Sequence, residues 1–403
     1  MELLEKIRSA AIALNGQTIA HRRYLHAHPE LSFQEEQTAQ YITEHLRSLG
    51  LEPRRMAGTG VTAEIKGYKN NFAEARLIAL RADIDALPIK EQNDKPYRSK
   101  IDGVMHACGH DVHTSSLLST ARILKDLQAE FSGVVRLIFQ PAEEKNPGGA
   151  SLMIKEGILE NPVPIAVIGQ HVMPVMNTGR AGFRPGKYMA SSDEIRLRVI
   201  GKGGHASTPE LNVDPVLIAS HIIVALQQVV SRNAGPKQPT VLSFGKVTAD
   251  GATNVVPDDV HIAGTFRALD ENWRKRGLEQ IRSIAVGMAE SMGGKCEVNI
   301  SHGYPFLMND QELTGRMRGY AEEYMGIENV EEIDLSLGSE DFAWYSQVVP
   351  SCFYRLGTRN EQKGITSYVH TPTFDVDEDA LAIGPGLMAW LAIRELNYQN
   401  DKK

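Results

Sequence analysis

The chain has 403 residues, of which 42% are apolar and 23% charged, so it can form two hydrophobic cores and has an ordinary globular composition. Its formal charge of −7 argues against the basic surface of a nucleic-acid-binding protein. Three cysteines and an acidic start, Met-Glu-Leu-Leu-Glu, predict a reducing, cytoplasmic location without a secretion signal. The uncharged stretch 380–393 is too short for a bilayer and contains Gly-Pro-Gly, so we expect no membrane contact.

Helical periodicity predicts an amphipathic helix that begins at Leu3 and a second helix over residues 38–46. Between them, three histidines in the segment 21–28 precede Pro29, which ends a helical segment. A solvated helix end explains these histidines as well as a ligand role does.

Three apolar runs predict buried strands at 77–80, 134–139 and 165–168. Each run is followed by polar side chains with the chemistry of a site, namely Asp83 and Asp85, Glu143 and Glu144, and His171. Open α/β sheets place their sites beyond the carboxyl ends of such strands. We therefore expect these side chains to meet at one edge of a sheet.

The segment His106–His113 concentrates three histidines, one cysteine and one aspartate in eight residues. Cys108 and His110 lie two residues apart, and Gly109 between them lets the backbone turn so that both side chains can reach one ion. A buried cysteine or histidine alone is often only a core residue. The density of polar and soft groups here favours a metal-binding loop, followed by a helix over 114–127.

Glu143 and Glu144 form an adjacent pair of carboxylates. In an extended chain the two side chains point to opposite sides, so one can bind an ion while the other acts as general base on the attacking water. One or two divalent ions fit the available thiolate, imidazoles and carboxylate, and a bridging ligand could join two ions.

After Ser191 the pattern changes to half-exposed strands, and the element order becomes β-α-β-β-α-β, as in a ferredoxin-like unit. The predicted strands lie near 195–199, 241–247, 260–267 and 296–300, and the helices over 214–230 and 271–292. This predicts an inserted second domain at 189–302. Residues 1–188 and 303–403 then form one discontinuous α/β domain. After the insertion, this domain continues with a helix over 311–324, a strand at 352–356, the segment around His370 and a terminal helix.

Five separated motifs, in this order, resemble the M20 metallopeptidase family, and specifically its amidohydrolase branch of hippurate hydrolases, auxin-conjugate hydrolases and N-acyl-amino-acid deacylases. They are Arg81-Ala-Asp-Ile-Asp-Ala-Leu-Pro88, His106-Ala-Cys-Gly-His-Asp-Val-His113, Gln140-Pro-Ala-Glu-Glu144, Gly203-Gly-His-Ala-Ser207 and Val369-His-Thr-Pro372. The resemblance implies a mixed-sheet catalytic domain with a ferredoxin-like lid domain, and two divalent ions, Mn, Zn, Ni or Co.

The resemblance also implies roles for single residues. Cys108 corresponds to the ligand that bridges two ions, with His110 and His171 on one ion and Glu144 and His370 on the other. Glu143 corresponds to the general base, and His205 to a lid histidine that reaches the scissile carbonyl, often from the partner subunit of a dimer. Asn254 and Arg267 resemble lid groups that contact the substrate. The expected oligomer is a dimer or tetramer formed through the lid.

The chain departs from the wider family at two positions. Asp83 stands where the family has a histidine ligand, and Cys108 where it has a bridging aspartate; the amidohydrolase branch shares both changes. We expect Asp83 and Asp85 to orient neighbouring groups and His106 and His113 to support the fold, while Arg267 is equally compatible with simple solvent exposure.

The predicted reaction is hydrolysis of an N-acyl amino acid to a carboxylate and a free amino acid. A small carboxypeptidase or dipeptidase and a non-catalytic, metal-stabilised binding protein are the alternatives.

Overall fold

The computed structural model describes residues 2–69 and 76–401, with backbone alone for 399–401. The chain divides into two compact units. The first contains Met1–Gly186, Met308–Asp334 and Trp344–Lys403, and the second contains Lys187–Leu307 and Leu335–Ala343. The predicted insertion at 189–302 lies inside the second unit, whereas the sequence analysis did not assign residues 335–343 to it.

The α-helices in the described part of the chain are α1 (Leu3–Ala27), α2 (Glu36–Ser48), α3 (His110–Asp126), α4 (Gly149–Lys155), α5 (Pro215–Gln228), α6 (Glu271–Ser291), α7 (Gln311–Met325), α8 (Ala343–Ser346) and α9 (Gly384–Asp401). The strands are β1 (Arg54–Met56), β2 (Gly60–Tyr68), β3 (Leu77–Asp83), β4 (Ser132–Gln140), β5 (Ala166–Asn177), β6 (Ala181–Phe183), β7 (Gly186–Met189), β8 (Asp193–Ile200), β9 (Gly204–His205), β10 (Thr240–Thr248), β11 (Val255–Val256), β12 (Asp259–Ala268), β13 (Lys295–His302), β14 (Leu307–Asn309), β15 (Val330–Glu332) and β16 (Ser351–Arg359).

The first unit contains an eight-stranded mixed sheet with the order β1-β2-β4-β3-β5-β16-β6-β15. Its four adjacent strands β4, β3, β5 and β16 are parallel. Every residue of β3 is buried, and Asp83 at its carboxyl end lies opposite Gln140 of β4. The mixed α/β fold is therefore confirmed. The carboxyl ends of the four parallel strands lie at the same edge of the sheet.

Two predicted boundaries were wrong, and both lie at the site. The helix α3 begins at His110 rather than at residue 114, because Gly109 has a φ of +82° and turns the chain directly into the helix. β5 does not end before His171, because β16 pairs with it from Val167 to Asn177. Its pairing with β3 stops at Gly169, so His171 lies just beyond that ladder.

The core of the first unit forms between this sheet and helices α1, α3, α7 and α9, with fully buried Ile7, Leu80, Leu118 and Leu391 among its members. The opening helix extends to Ala27, two residues before Pro29, where a helical segment was predicted to end. Its second half buries His21, Arg22 and His26, so a solvated helix end does not describe these two histidines.

The second unit has a four-stranded antiparallel sheet with the order β10-β12-β8-β13, which is the ferredoxin-like arrangement. Helices α5 and α6 cover one face. One helical stretch of the described chain, Pro215–Asn233, is long and apolar enough to cross a membrane by length and composition. Its residues Ile218, Ile222 and Leu226 are buried in this unit's core, so part of its apolar composition serves packing within the domain.

Candidate metal centre

The end of β3 supplies two buried aspartates with different partners. Asp83 lies 2.5 Å from Nη1 of Arg81 and 2.5 Å from Nδ1 of His113. Burial opposes ionisation, but Arg81 and the nearby histidines hold the pKa of Asp83 well below its usual range. Both oxygens of Asp83 therefore have cationic or ring N–H partners, as expected for a group that orients its neighbours.

His113 lies next to the metal-binding residues but has both ring nitrogens engaged. Its Nδ1 contacts Asp83, and its Nε2 accepts the backbone N–H of Val172 at 2.9 Å. Burial lowers the pKa of His113 despite the adjacent carboxylate. Both ring nitrogens of His113 are thus engaged by the protein, although its ligand atom lies within 4.8 Å of those of Asp83 and His110; that His113 supports the fold stays a prediction.

The turn at Gly109 brings Cys108 and His110 to the site. A Cβ at Gly109 would lie 2.5 Å from Cγ2 of Val172, in a left-handed conformation, so the position requires glycine. The turn leaves Cys108 in the loop and makes His110 the first residue of α3. Sγ of Cys108 lies 3.5 Å from Nε2 of His171.

Hydrogen bonds fix which nitrogen of each histidine faces the centre. Nδ1 of His110 lies 2.9 Å from the carbonyl of Asp85 and 3.1 Å from its carboxylate, so the neutral ring carries its hydrogen there. Nδ1 of His171 likewise donates to the carbonyl of Val172 at 2.7 Å. Both Nε2 atoms thus keep a lone pair, the form in which histidine binds metals.

Two groups of ligand atoms share Cys108. Cys108, His110 and His171 form one group, and Cys108, Glu144 and His370 form the other; the atoms of each group lie within 4.8 Å of one another. Oε1 of Glu144 lies 3.1 Å from Nε2 of His370 and 3.9 Å from Nε2 of His110. The five residues predicted as ligands therefore converge around one sulfur atom.

The electrostatic environment of this cluster is negative, as the raised pKa values of three of its residues indicate, and a negative environment favours a bound cation. Burial favours a neutral His110, but the carboxylates of Asp83 and Asp85 raise its pKa well above the ordinary value. Hydrogen bonds to Cys108 and Glu144 raise the pKa of His370 to about 10. Burial and the Glu144 carboxylate raise the pKa of Cys108 in the ion-free protein.

One atom tests directly whether these residues fit an ion. Nε2 of His110 is buried, and among the described residues none forms a hydrogen bond of good geometry with it, since Oδ2 of Asp83 and Oε1 of Glu144 lie 3.7 and 3.9 Å away. A buried nitrogen of this kind is costly unless it has a partner. Together with a thiolate, two further imidazoles and a carboxylate, this matches the donor set of a transition-metal site.

Glu143 and Glu144 follow β4 and Pro141 in a bend, not in an extended chain. Ala142 has a φ of +50°, and both carboxylates lie within 4.8 Å of the His110 ligand atom and of each other. The prediction that the two side chains point to opposite sides was therefore wrong. Glu143 is 6% exposed, so its carboxylate is buried beside the ligand atoms of His110 and Glu144.

His370 is presented by a strained turn rather than by a strand or helix. Its φ is +62°, and its N–H donates to the carbonyl of Ala107 at 2.7 Å. Such a conformation is rare for a residue with a side chain and persists where the surroundings enforce it. The bond to Ala107 ties this turn to the loop that carries Cys108.

A buried ionic network that the sequence did not predict surrounds Asp111. Nε of Arg22 and Nδ1 of His26 both lie 2.8 Å from Oδ2 of Asp111, next to His110, and His26 also contacts Glu91. Arg22 additionally bonds Asp375. The polar segment 21–28 was the only signal, and nothing in the sequence identified its distant partners.

His205 and Asn254 meet in the second unit. β9 pairs with β11, where Val255 lies opposite His205, and the N–H of Ala206 donates to the Asn254 carbonyl at 3.1 Å. Nδ1 of His205 accepts the backbone N–H of Ser207 at 3.1 Å. The neutral ring of His205 therefore carries its hydrogen on Nε2 and presents an N–H donor.

Arg267 lies on β12 and is half-buried, and its Nη1 lies 3.4 Å from the Leu337 carbonyl. Burial lowers its pKa, while Asp193 opposes the shift. The interpretation of simple solvent exposure therefore does not describe its environment.

Comparison with known proteins agrees with this geometry. Peptidase family M20/M25/M40 matches residues 79–394. A Saccharolobus solfataricus protein named thermostable carboxypeptidase 2 is 38% identical over 98% of this chain and 100% of its own. A Bacillus subtilis protein named N-acetylcysteine deacetylase is 40% identical over 94% and 97%. An Arabidopsis thaliana protein named IAA-amino acid hydrolase ILR1-like 4 is 38% identical over 93% and 84%.

Solved structures support the same relationship. A crystal structure from methicillin-resistant Staphylococcus aureus covers 98% of this chain and 100% of its own at a TM-score of 0.90 and 35% identity. A Bacillus subtilis crystal structure, described as a dinuclear metal binding peptidase from the M20 family, covers 96% and 99% at a TM-score of 0.81 and 36% identity. The chain therefore belongs to Peptidase family M20/M25/M40, as its five motifs predicted.

Proposed function

We propose that this protein is a metal-dependent amidohydrolase that cleaves N-acyl amino acids to a carboxylate and a free amino acid, using two divalent ions. The observation that carries the proposal is the position of Cys108, whose sulfur belongs to both groups of ligand atoms. The relatives named N-acetylcysteine deacetylase and IAA-amino acid hydrolase support the substrate class.

In this proposal His110 and His171 would hold one ion and Glu144 and His370 would hold the other, and the sulfur of Cys108 would be available to both. When bound, two such ions supply Lewis acidity to the amide carbonyl and lower the pKa of a coordinated water. The family resemblance implies Mn, Zn, Ni or Co, and of these a thiolate and three imidazoles suit Zn and Ni better than they suit Mg or Ca. Since the pKa of His370 is raised to about 10 in the ion-free protein, loading near neutral pH releases protons.

Glu143 is the general base. Its buried carboxylate belongs to the cluster with His110 and Glu144, within reach of a water held there. Glu143 takes the proton from this water as it attacks the carbonyl carbon and passes the proton to the leaving nitrogen.

His205 donates its Nε2–H to the carbonyl oxygen as negative charge develops on it. The hydrogen bond from Ser207 to Nδ1 supports this role, because it leaves the ring hydrogen on Nε2. Asn254 and Arg267 contact the substrate. Whether His205 acts within its own chain or in the partner's site is decided by the mixing experiment in the Discussion.

Self-association through the second unit is part of the proposal. The outer face of α5 exposes three apolar side chains, Val216, Leu217 and Val224, the last of them 73% exposed. Apolar side chains along one exposed helix face favour contact with another protein surface. We propose a homodimer or tetramer through this unit, in the cytoplasm, where all three buried cysteines remain reduced.

A small carboxypeptidase or dipeptidase activity is the second candidate, because relatives named thermostable carboxypeptidase are 38% identical over nearly the whole chain. The same attacking water serves an acyl or a peptide amide. A non-catalytic binding protein would not need Glu143 as well as the five ligands, so this third reading has the weakest support.

One experiment separates these functions. The protein is stripped with a chelator, reloaded with Mn²⁺, Co²⁺, Ni²⁺ or Zn²⁺, and assayed for release of free amino acid from acetyl, benzoyl and indoleacetyl amino acids and from dipeptides. We expect the acyl amino acids to give the highest kcat/KM, and Glu143→Gln to abolish turnover. Preferred cleavage of dipeptides would support the peptidase, and no turnover by the metal-loaded protein would contradict both enzymes.

A further inference from the structure

The carboxylate of Glu35 does not serve the helix that it precedes. Glu35 lies immediately before α2 and forms no side-chain hydrogen bond to its first turn. Glu30 performs that task instead, because its two oxygens accept the backbone N–H groups of Gln37 and Thr38 at 3.1 and 2.8 Å. The fully buried Glu35 is therefore committed elsewhere.

Both oxygens of Glu35 have partners in distant parts of the chain. Oε1 accepts the backbone N–H of Ala142 at 2.8 Å, and Oε2 accepts the hydroxyl hydrogen of Thr59 at 2.5 Å. Burial raises the pKa of Glu35, while the Thr59 hydrogen bond opposes the rise. A carboxyl group is buried so completely only where its hydrogen bonds offset the free-energy cost of removing it from water.

Ala142 has a backbone conformation that its side chain disfavours. Its φ is +50°, in the left-handed region. Its carbonyl accepts the N–H of Gly149 at 3.1 Å, and its N–H is held by Glu35. These two bonds fix the peptide groups on either side of the unfavourable torsion angles.

We call the hydrogen bond from the Ala142 N–H to Glu35 the clamp on Ala142. A similar hydrogen bond lies one residue beyond Glu143. The backbone N–H of Glu144 donates to Oδ2 of Asp85 at 3.0 Å. Two buried carboxylates therefore hold the N–H groups that flank Glu143. The direction of the Glu143 side chain depends on both contacts, because its backbone lies between them.

We propose that Glu35 is a positioning residue, which holds Ala142 in the left-handed conformation and thereby directs Glu143 toward the water that it deprotonates. The inference rests on the proposed function, in which Glu143 is the general base. Glu35 touches neither substrate nor ion and acts through the Ala142 amide.

The direct test is Glu35→Ala in the metal-loaded enzyme. We expect kcat to fall by about 10- to 100-fold, as displacements of roughly 1 Å in catalytic groups cause, with KM and the two-ion content nearly unchanged. Hydrogen–deuterium exchange should accelerate in the peptide that contains Ala142. Wild-type kcat together with wild-type exchange would overturn the proposal.

The rescue variant is Ala142→Gly in the Glu35→Ala background. Glycine adopts the left-handed conformation without the steric cost to a side chain, which corresponds to about 5- to 30-fold in the population of that conformer. We expect the double variant to recover most of the lost kcat. A general loss of packing at Glu35 would not be repaired by glycine, so a folded double variant without recovery would overturn the positioning role.

Two matched variants complete the set. Glu35→Gln keeps an acceptor for Ala142 and a polar partner for Thr59, so its kcat should stay within about threefold of wild type. Glu30→Ala loosens the same helix terminus without touching Ala142, so it should lower Tm and leave kcat unchanged. If Glu35→Ala does not fold, Thr59→Val, which removes one contact of Glu35, should lower kcat by about two- to fivefold and respond to Ala142→Gly.

The exchange measurement separates this inference from the proposed function. Faster exchange at Ala142 in Glu35→Ala, combined with no turnover by the metal-loaded wild type, would contradict the proposed function while the clamp stands. Turnover that Glu143→Gln abolishes and Glu35→Ala leaves intact would contradict the positioning role of Glu35 while the proposed function stands.

Discussion

Asp85 and Glu144 are joined by a hydrogen bond from the Glu144 backbone N–H to Oδ2 of Asp85, 3.0 Å long. Ser32 donates its hydroxyl hydrogen to the same oxygen at 2.6 Å, while Oδ1 faces Nδ1 of His110 at 3.1 Å. Hydrogen bonds to His110, Ser32 and Glu144 lower the pKa of Asp85 although burial opposes this. One carboxylate thus orients proposed ligands of both ions.

We predict that Asp85→Asn weakens metal binding. An amide offers only one oxygen, so its NH₂ group must face either the N–H of His110 or the N–H of Glu144. Two donors that face each other form no hydrogen bond, so one of these two ligands loses its support. Loss of such a supporting group typically lowers metal affinity by about 10- to 100-fold. Competition with a metal indicator measures the change, and Asp102→Asn, with a side chain 83% exposed, is the control. Equal affinities in the two variants would contradict this role for Asp85.

Substitution of Glu143 should remove the general base, whereas substitution of Glu144 should remove a metal ligand. Glu143→Gln keeps the shape of the side chain but removes the base, so kcat should fall by roughly two orders of magnitude or more with metal content near wild type. Glu144→Gln should instead lose one ion. Kinetics and elemental analysis of the same preparations compare the two, and if Glu143→Gln loses the ion, the roles are reversed.

His205→Ala should bind both ions and lose most of kcat, because it removes a donor to the developing oxyanion. If His205 acts across a dimer, mixing His205→Ala with Glu143→Gln restores part of the activity, because mixed dimers contain one site with both groups. Mass spectrometry verifies subunit exchange. No recovery after verified exchange places the action of His205 within its own chain, and wild-type kcat in His205→Ala would remove it from the mechanism.

His21 should make the fold sensitive to acid. It is 6% exposed, and its ring lies 4.5 Å from that of His45. Burial, and then His45, lower the pKa of His21 from 6.5 to about 4. At pH 5 the unfolded chain binds a proton that the folded chain does not, so this contribution is complete above pH 6.5 and is lost as the pH falls toward 4.

Urea unfolding at pH 7 and pH 5 measures this effect. We expect wild type to lose about 2 kcal/mol more of its free energy of unfolding than His21→Gln does. The glutamine can still bond the Tyr41 hydroxyl, which lies 2.6 Å from Nδ1 of His21 in the wild type. Equal losses in both proteins would assign the acid sensitivity to other groups.

The sequence predicted those features that depend on local pattern. The continuous apolar run before Asp83 predicts a buried strand. The spacing of apolar residues predicts the β-α-β-β-α-β order of the second unit, because this spacing depends directly on which side chains are buried. The candidate ligands were predicted because polar and soft side chains follow buried strands, where parallel sheets place their sites; that they bind metal stays a prediction.

Features that depend on contacts between distant residues could not be predicted. Glu35 and Ala142 are 107 positions apart, and a carboxylate before a helix normally indicates a cap rather than a clamp on a distant loop. The bend at Ala142 was equally hidden, because alanine is not a residue that marks a left-handed conformation. The start of α3 at His110 was missed because glycine is compatible with a loop and with a helix start alike.

The central claim is that Cys108 bridges two ions held by His110, His171, Glu144 and His370. Anomalous diffraction from crystals of the protein loaded with Co²⁺ or Zn²⁺ under reducing conditions tests it most directly. We predict two peaks roughly 3.5–4 Å apart, both within bonding distance of the Cys108 sulfur. A single peak at full occupancy, or two peaks of which one does not contact that sulfur, would contradict the account.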